Sequence, residues 1–190
     1  MEKNILLCGV GGQGTILASK LLSYALIEAG YDVKMSEIHG MSQRGGSVVT
    51  QVRYGEKVYS PIIGKGSADI LVSFEAMEAL RNLDDLKPDG TVVVNDYEIP
   101  TATTLSGKQK YPENVIDEIR TKANTKSLNA AAIAEELGNS KCMNVVLLGA
   151  LVKMMGLEDL NWTGALESCV KPQFLEINQK AFRAGMEAVA

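Results

Sequence analysis

An apolar run, Ile5-Leu6-Leu7, leads through Gly9-Val10-Gly11-Gly12-Gln13-Gly14 into a segment whose apolar residues recur at helical spacing. Ile16, Leu17, Leu21, Leu22, Ala25 and Leu26 share one broad face of a helix expected over 15–29, and Gly30 supplies its stop. A short run with no polar alternation suits a strand buried on both faces. Strand, glycine turn and helix in that order commit the chain to an α/β architecture, because a second strand can then return beside the first only by a crossover.

Gly9, Gly11 and Gly14 match G-x-G-x-x-G in the strand-to-helix setting that the pattern requires. Two readings of the turn stay open. It can cradle an anion with the N–H groups at the helix start, or it can need glycine for backbone geometry alone. A phosphate loop of the Lys-Ser/Thr type is excluded, since Thr15 follows Gly14 with no lysine between. Glu37, 23 residues beyond Gly14, stands only roughly where a ribose-binding acid would, so a stand-alone NAD(P)-binding Rossmann oxidoreductase remains an alternative.

Further along, strands are expected at 33–37, 47–54, 58–60, 70–74 and 91–94. Gly55-Glu56-Lys57 would turn the second of these into a hairpin with Val58-Tyr59-Ser60. Helical spacing covers 75–86, a stretch with Pro112 in its first turn, 129–137, 142–155, 162–170 and 172–189. Asn95 to Tyr111 is irregular, and Pro88-Asp89-Gly90 reads as a turn. The expected fold is a Rossmann-like, mostly parallel sheet with helices on both faces and an inserted hairpin, as one domain over residues 1–190.

Charge and cysteine usage narrow the function. With 23 acids against 19 bases the net charge is −4, and no basic stripe offers a footprint for nucleic acid or an anionic membrane. Met-Glu-Lys-Asn enters the first strand directly, so no signal peptide is expected; no apolar stretch approaches the ~20 residues of a membrane span, and a cytoplasmic location is expected. Cys8, Cys142 and Cys169 are far apart and form no C-x-x-C, so neither a zinc nor an iron–sulfur site follows from local cysteines.

The candidate chemistry lies in two loops. His39, the only histidine, is a candidate general base, and it shares a glycine-bearing loop with Ser42, Gln43, Arg44, Gly45 and Gly46. A guanidinium beside flexible backbone amides suits an anionic group; the other reading is a polar loop closing over a subunit contact. Asn144, in an otherwise apolar helix, reads first as a buried amide bonded to nearby backbone. The binding candidates are therefore Gly9, Gly11, Gly12, Gln13 and Gly14 with Ser42, Gln43, Arg44, Gly45 and Gly46; no metal ligand is expected.

Together, Gly9–Gly14 and the segment Ser36-Glu37-Ile38-His39-Gly40-Met41-Ser42-Gln43-Arg44-Gly45-Gly46-Ser47-Val48-Val49 resemble the gamma-type component of the 2-oxoacid:ferredoxin oxidoreductases, and within that family its indolepyruvate class. Lys57-Val58-Tyr59-Ser60-Pro61, Ala68-Asp69-Ile70-Leu71, Asn144 to Ala150 and Asn178 to Gly185 extend the likeness along the chain. The resemblance implies oxidative decarboxylation of an aryl pyruvate with coenzyme A to an acyl-CoA, carbon dioxide and reduced ferredoxin. It implies too that thiamine diphosphate and the iron–sulfur clusters belong to a large (alpha) subunit, and that ferredoxin is met through the complex. This chain would stand against the thiamine site, take part in coenzyme A access, and be inactive alone; an isolated copy could pair with itself through the surface meant for the large subunit. A purely structural subunit is the third reading. An adenylating enzyme of the ubiquitin-activating type also uses such a turn, but the downstream arginines it expects are not found.

Overall fold

A computed structural model describes residues 2–40 and 44–189. Its centre is a six-stranded sheet of order β2-β3-β1-β4-β5-β6, built from β1 (Lys3–Val10), β2 (Asp32–His39), β3 (Ser47–Gly55), β4 (Ala68–Ser73), β5 (Leu86–Asn95) and β6 (Asn124–Leu128). β1, β4, β5 and β6 pair in parallel, while β3 is antiparallel to both β1 and β2. The sheet is thus mixed but mostly parallel, as expected of an α/β chain.

Helices cover both faces. One layer holds α1 (Thr15–Glu28), α5 (Ala130–Glu136), α6 (Met143–Met155), α7 (Trp162–Cys169) and α8 (Leu175–Glu187), packed on Ile5, Leu7, Val52, Val72 and Val93. The other holds α2 (Ala76–Arg81) and α4 (Val115–Lys122), over Leu6, Cys8, Leu71, Val92 and Val94. Successive side chains of β1 point to opposite layers, which is why Ile5-Leu6-Leu7 is apolar without alternation. A short helix, α3 (Ala102–Leu105), interrupts the irregular stretch after β5.

The insertion differs in detail from the sequence expectation. Val58-Tyr59-Ser60 forms no strand; β3 instead makes its hairpin with β2 and lies between β2 and β1. Side chains tether the 58–62 segment in place of a ladder. The Val58 N–H donates to Asp32 Oδ2 (2.9 Å), and Arg53 Nη1 donates to the Ser60 and Ile62 carbonyls (2.8 and 3.2 Å). Pro88-Asp89-Gly90 does not turn the chain either: it lies within β5, between the pairs Ala68↔Leu86 and Ile70↔Thr91, where the register shifts. Pro112 stands three residues ahead of α4 rather than in its first turn. β6, Asn-Thr-Lys-Ser-Leu, carries no apolar pattern because it is an edge strand, and it escapes a hydrophobicity reading.

α6 is the central helix. Every residue from Asn144 to Val152 is buried, and Gly156 ends it in the left-handed region at φ 65°. It meets α8 almost backbone to backbone. A Cβ on Gly149 would lie 2.1 Å from the Phe182 carbonyl oxygen, and one on Gly185 would lie 1.8 Å from that of Val146.

Candidate functional site

The glycine turn stands at the carboxyl edge of the parallel strands, beside the point where the chain order in the sheet reverses. From β1 the path runs to the β2–β3 side, and from β4 it runs to β5 and β6. Open α/β sheets bind ligands in the crevice outside such a switch point.

Each part of the turn is fixed from a different direction. Gln13 reaches back, accepting from the Val10 N–H through Oε1 (2.8 Å) and donating through Nε2 to the Phe74 carbonyl at the end of β4 (2.7 Å). Gly9 is packed rather than open, since a Cβ there would come within 2.9 Å of both Gln13 and Phe74. Gly14 adopts φ 84° and begins α1 without a side-chain cap or a first-turn acid. Asn144 Nδ2 donates to its carbonyl (3.1 Å), so the buried amide bonds to the backbone of the turn itself; Asn144 Oδ1 has no hydrogen-bond partner among the described residues.

The second loop is joined to the first. Gly11 N–H donates to the Gly46 carbonyl (2.8 Å), and Gly45 N–H donates to the Gly11 carbonyl (3.1 Å). Gly11–Gly14 and Arg44–Gly46 are therefore one structural unit, with Arg44 exposed beside it. Ser42 and Gln43 lie outside the described residues. His39 is exposed at the end of β2, with Nδ1 3.1 Å from the Gly40 carbonyl oxygen.

Cavities flank this unit. One, of about 640 Å³, is bordered by Gly11–Gly14, Gly45, Ile99, Lys141 and Met143. α6 begins there too, with no first-turn acid, as the continuation of a 3-10 turn (Ser140–Cys142) that the Asn139 side chain caps at the Lys141 N–H, so the positive ends of two helices lie near one crevice together with a lysine. A second cavity, of about 370 Å³, lies toward β2 and is bordered by Gly11, Gly12, Thr15, Glu37 and His39. The turn thus has Lys141 and Gly45 on one side and His39 and Glu37 on the other. A third cavity, of about 360 Å³, adjoins the first and shares Val10, Gly45 and Ile99 with it.

Around the third cavity sit two buried carboxylates, Glu75 and Glu78. Glu78 accepts from Ser47 Oγ (2.6 Å) and Arg81 Nη1 (2.8 Å). Glu75 caps α2 by accepting from the Glu78 N–H (2.8 Å), and it also accepts from the Tyr111 hydroxyl and the Ile99 N–H (3.2 Å). Burial, with the Glu75 carboxylate next to it, pushes the Tyr111 phenol far above its usual range, so it remains a donor. The three thiols occupy separate places: Cys8 within β1, Cys142 ahead of α6, Cys169 at the end of α7. Burial pushes Cys8 up to about 12.

Sequence reasoning located the glycine turn, the Arg44–Gly46 loop and the buried amide. It did not single out Glu75, Tyr111 or Lys141. Glu75 had a local cue: an acid three residues ahead of Glu78 at the junction of a buried strand and a helix is a capping position. Lys141 had none, because only the packing of α6 beside α1 brings it to the turn.

Fold and crevice together define a Rossmann-like α/β protein with a glycine turn at the switch edge of its sheet. The family described as pyruvate ferredoxin/flavodoxin oxidoreductase matches residues 4–188, and this chain belongs to it. It is 40% identical to the indolepyruvate oxidoreductase subunit IorB of Pyrococcus horikoshii, over 98% of this chain and 96% of that protein. Among solved structures, the gamma subunit of a keto/oxoacid ferredoxin oxidoreductase from Geobacter sulfurreducens superposes with a TM-score of 0.72 at 26% identity, covering 98% of each chain. The fold is also found in a 2-oxoglutarate:ferredoxin oxidoreductase from Magnetococcus marinus (TM-score 0.77, 21% identity), where it takes up 31% of a longer chain.

Proposed function

We propose that this chain is the small subunit of an indolepyruvate-class 2-oxoacid:ferredoxin oxidoreductase and that it receives coenzyme A beside its glycine turn. The observation that carries the second half is the meeting of the α1 and α6 N-termini with Lys141 at the 640 Å³ crevice. Helix starts with no acid in the first turn favour a phosphate, and a lysine adds a point charge for it.

In the overall reaction a 2-oxoacid, coenzyme A and oxidised ferredoxin become acyl-CoA, carbon dioxide and reduced ferredoxin. Carbanion chemistry and electron transfer are assigned to thiamine diphosphate and iron–sulfur clusters on the large (alpha) subunit. The dispersed positions of Cys8, Cys142 and Cys169 fit that division. The residues of this chain hold and orient: Gly11 and Gly12 allow close backbone approach, Gly14 makes room for Asn144, Gly45 and Gly46 extend the same wall, and Arg44 and Lys141 supply charge. Gln13, and Gly9 beneath it, keep the turn in shape. His39 stands outside this set, across the turn. Among the described residues no helix is long and apolar enough to cross a membrane, and we assign the complex to the cytoplasm.

The test is kinetic, in the complex reconstituted with the large subunit. Lys141→Ala and Arg44→Ala are each expected to raise the apparent KM for coenzyme A about 10-fold, equivalent to about 1.4 kcal/mol of binding. The KM for the 2-oxoacid should stay unchanged. If the coenzyme A value does not move in either variant, the crevice is not its site.

A further inference from the structure

Glu75 makes more bonds than a helix cap needs. One carboxylate oxygen, Oε2, satisfies the cap at the Glu78 N–H. The other, Oε1, is shared by the Ile99 N–H and the Tyr111 hydroxyl, twelve residues apart in the chain. The Tyr111 hydroxyl in turn accepts from the Met77 N–H (3.2 Å), and the Tyr97 carbonyl accepts from the Ala76 N–H (2.9 Å). A strap from residue 97 to 111 is thus fastened to the start of α2 at both ends, through a group only 1% exposed. Between the fastenings the strap projects outward, with Leu105 76% exposed.

Ile99 is the consequential fastening, because it borders both the 640 Å³ crevice and the 360 Å³ cavity beside it. A shift of Ile99 would alter the wall facing Gly45 and the glycine turn. We infer that Glu75 is a positioning residue for the co-substrate crevice, acting through Ile99 and Tyr111 to hold the strap that forms its wall. The inference rests on the coenzyme A reading of that crevice.

Two substitutions separate holding the strap from holding the helix. Tyr111→Phe removes the hydroxyl that joins Glu75 to the Met77 N–H and leaves the Glu75–Glu78 cap bond in place. Glu75→Gln keeps a carbonyl oxygen for Ile99 and Tyr111 but turns an amide donor toward the Glu78 N–H, which spoils the cap. In the reconstituted complex, Tyr111→Phe should lower Tm no further than Glu75→Gln does, raise amide exchange across 97–111, and raise the coenzyme A KM three- to ten-fold with kcat within two-fold. Glu75→Gln should lower Tm yet leave that KM within two-fold. If KM instead follows Tm through the two variants, or if exchange rises in Tyr111→Phe with KM unchanged, Glu75 is only a structural cap. Unchanged exchange in Tyr111→Phe equally overturns the inference. Lys141→Ala, measured alongside, tells the two failures apart: an unmoved KM there removes the crevice reading and this inference with it, whereas a raised KM leaves the fault with the strap.

Discussion

At the scale of single residues, the turn depends on one glycine and one amide that exclude alternatives at each other's position. Gly14 has φ 84°, and a Cβ on it would sit 2.4 Å from Asn144 Nδ2. Gly14→Ala is therefore expected to cost roughly 1–3 kcal/mol in urea unfolding, combining left-handed strain with a clash. Asn144→Ala should cost about 1 kcal/mol by removing one donor to the Gly14 carbonyl, which keeps the Leu17 and Ala18 N–H groups. The double variant should lose less than the sum, because removing the amide opens the space that the new methyl group needs. Strict additivity would mean that the two residues do not act on each other. Of this pair, the glycine was legible as a motif member and the asparagine as a buried polar group. Their contact was not, because 130 positions separate them in the chain.

At the scale of elements, legibility followed burial. α1, α5 and α6 carry apolar patterns and glycine stops and appear within a residue of where spacing placed them, while β1 runs three residues past its apolar run to Val10 and takes in Gly9. β6 and the tethered segment after β3 were missed or misread because their places are held by edge pairing and by the side chains of Asp32 and Arg53. The α6–α8 contact shows what the patterns leave out. Leucines and valines mark α6 as buried, yet its closest approach is set by Gly149 and Gly185. Gly185→Ala would press a methyl against the Val146 carbonyl and force the helices apart. It should lower stability by roughly 1–3 kcal/mol, as overpacking does. Lys180→Ala on the same helix should stay within about 0.5 kcal/mol, as a surface change does. Equal Tm values for the two variants would contradict the close packing.

At the scale of the whole molecule, the antiparallel β3 decides between ligand readings. In a dinucleotide site the acid that reads the ribose ends the strand beside β1. Here β3 occupies that place, and β2 with Glu37 lies one strand further out, adding about 5 Å. The chain should therefore give no heat of binding with NAD or NADP at millimolar concentration in calorimetry. A dissociation constant in the micromolar range would revive the stand-alone oxidoreductase reading. Composition and motif could not settle this, since they fix that a strand precedes the loop but not which neighbour it pairs with.

The complete enclosure of α6 bears on how the polypeptide can be made. The nine successive residues from Asn144 to Val152 are fully enclosed only when Leu175–Glu187 has packed on the face that α1, α5 and the sheet leave open. Synthesis halted before that point would bare the Val146–Gly149 face of α6, so α8 serves as the stopper that closes the core built upstream.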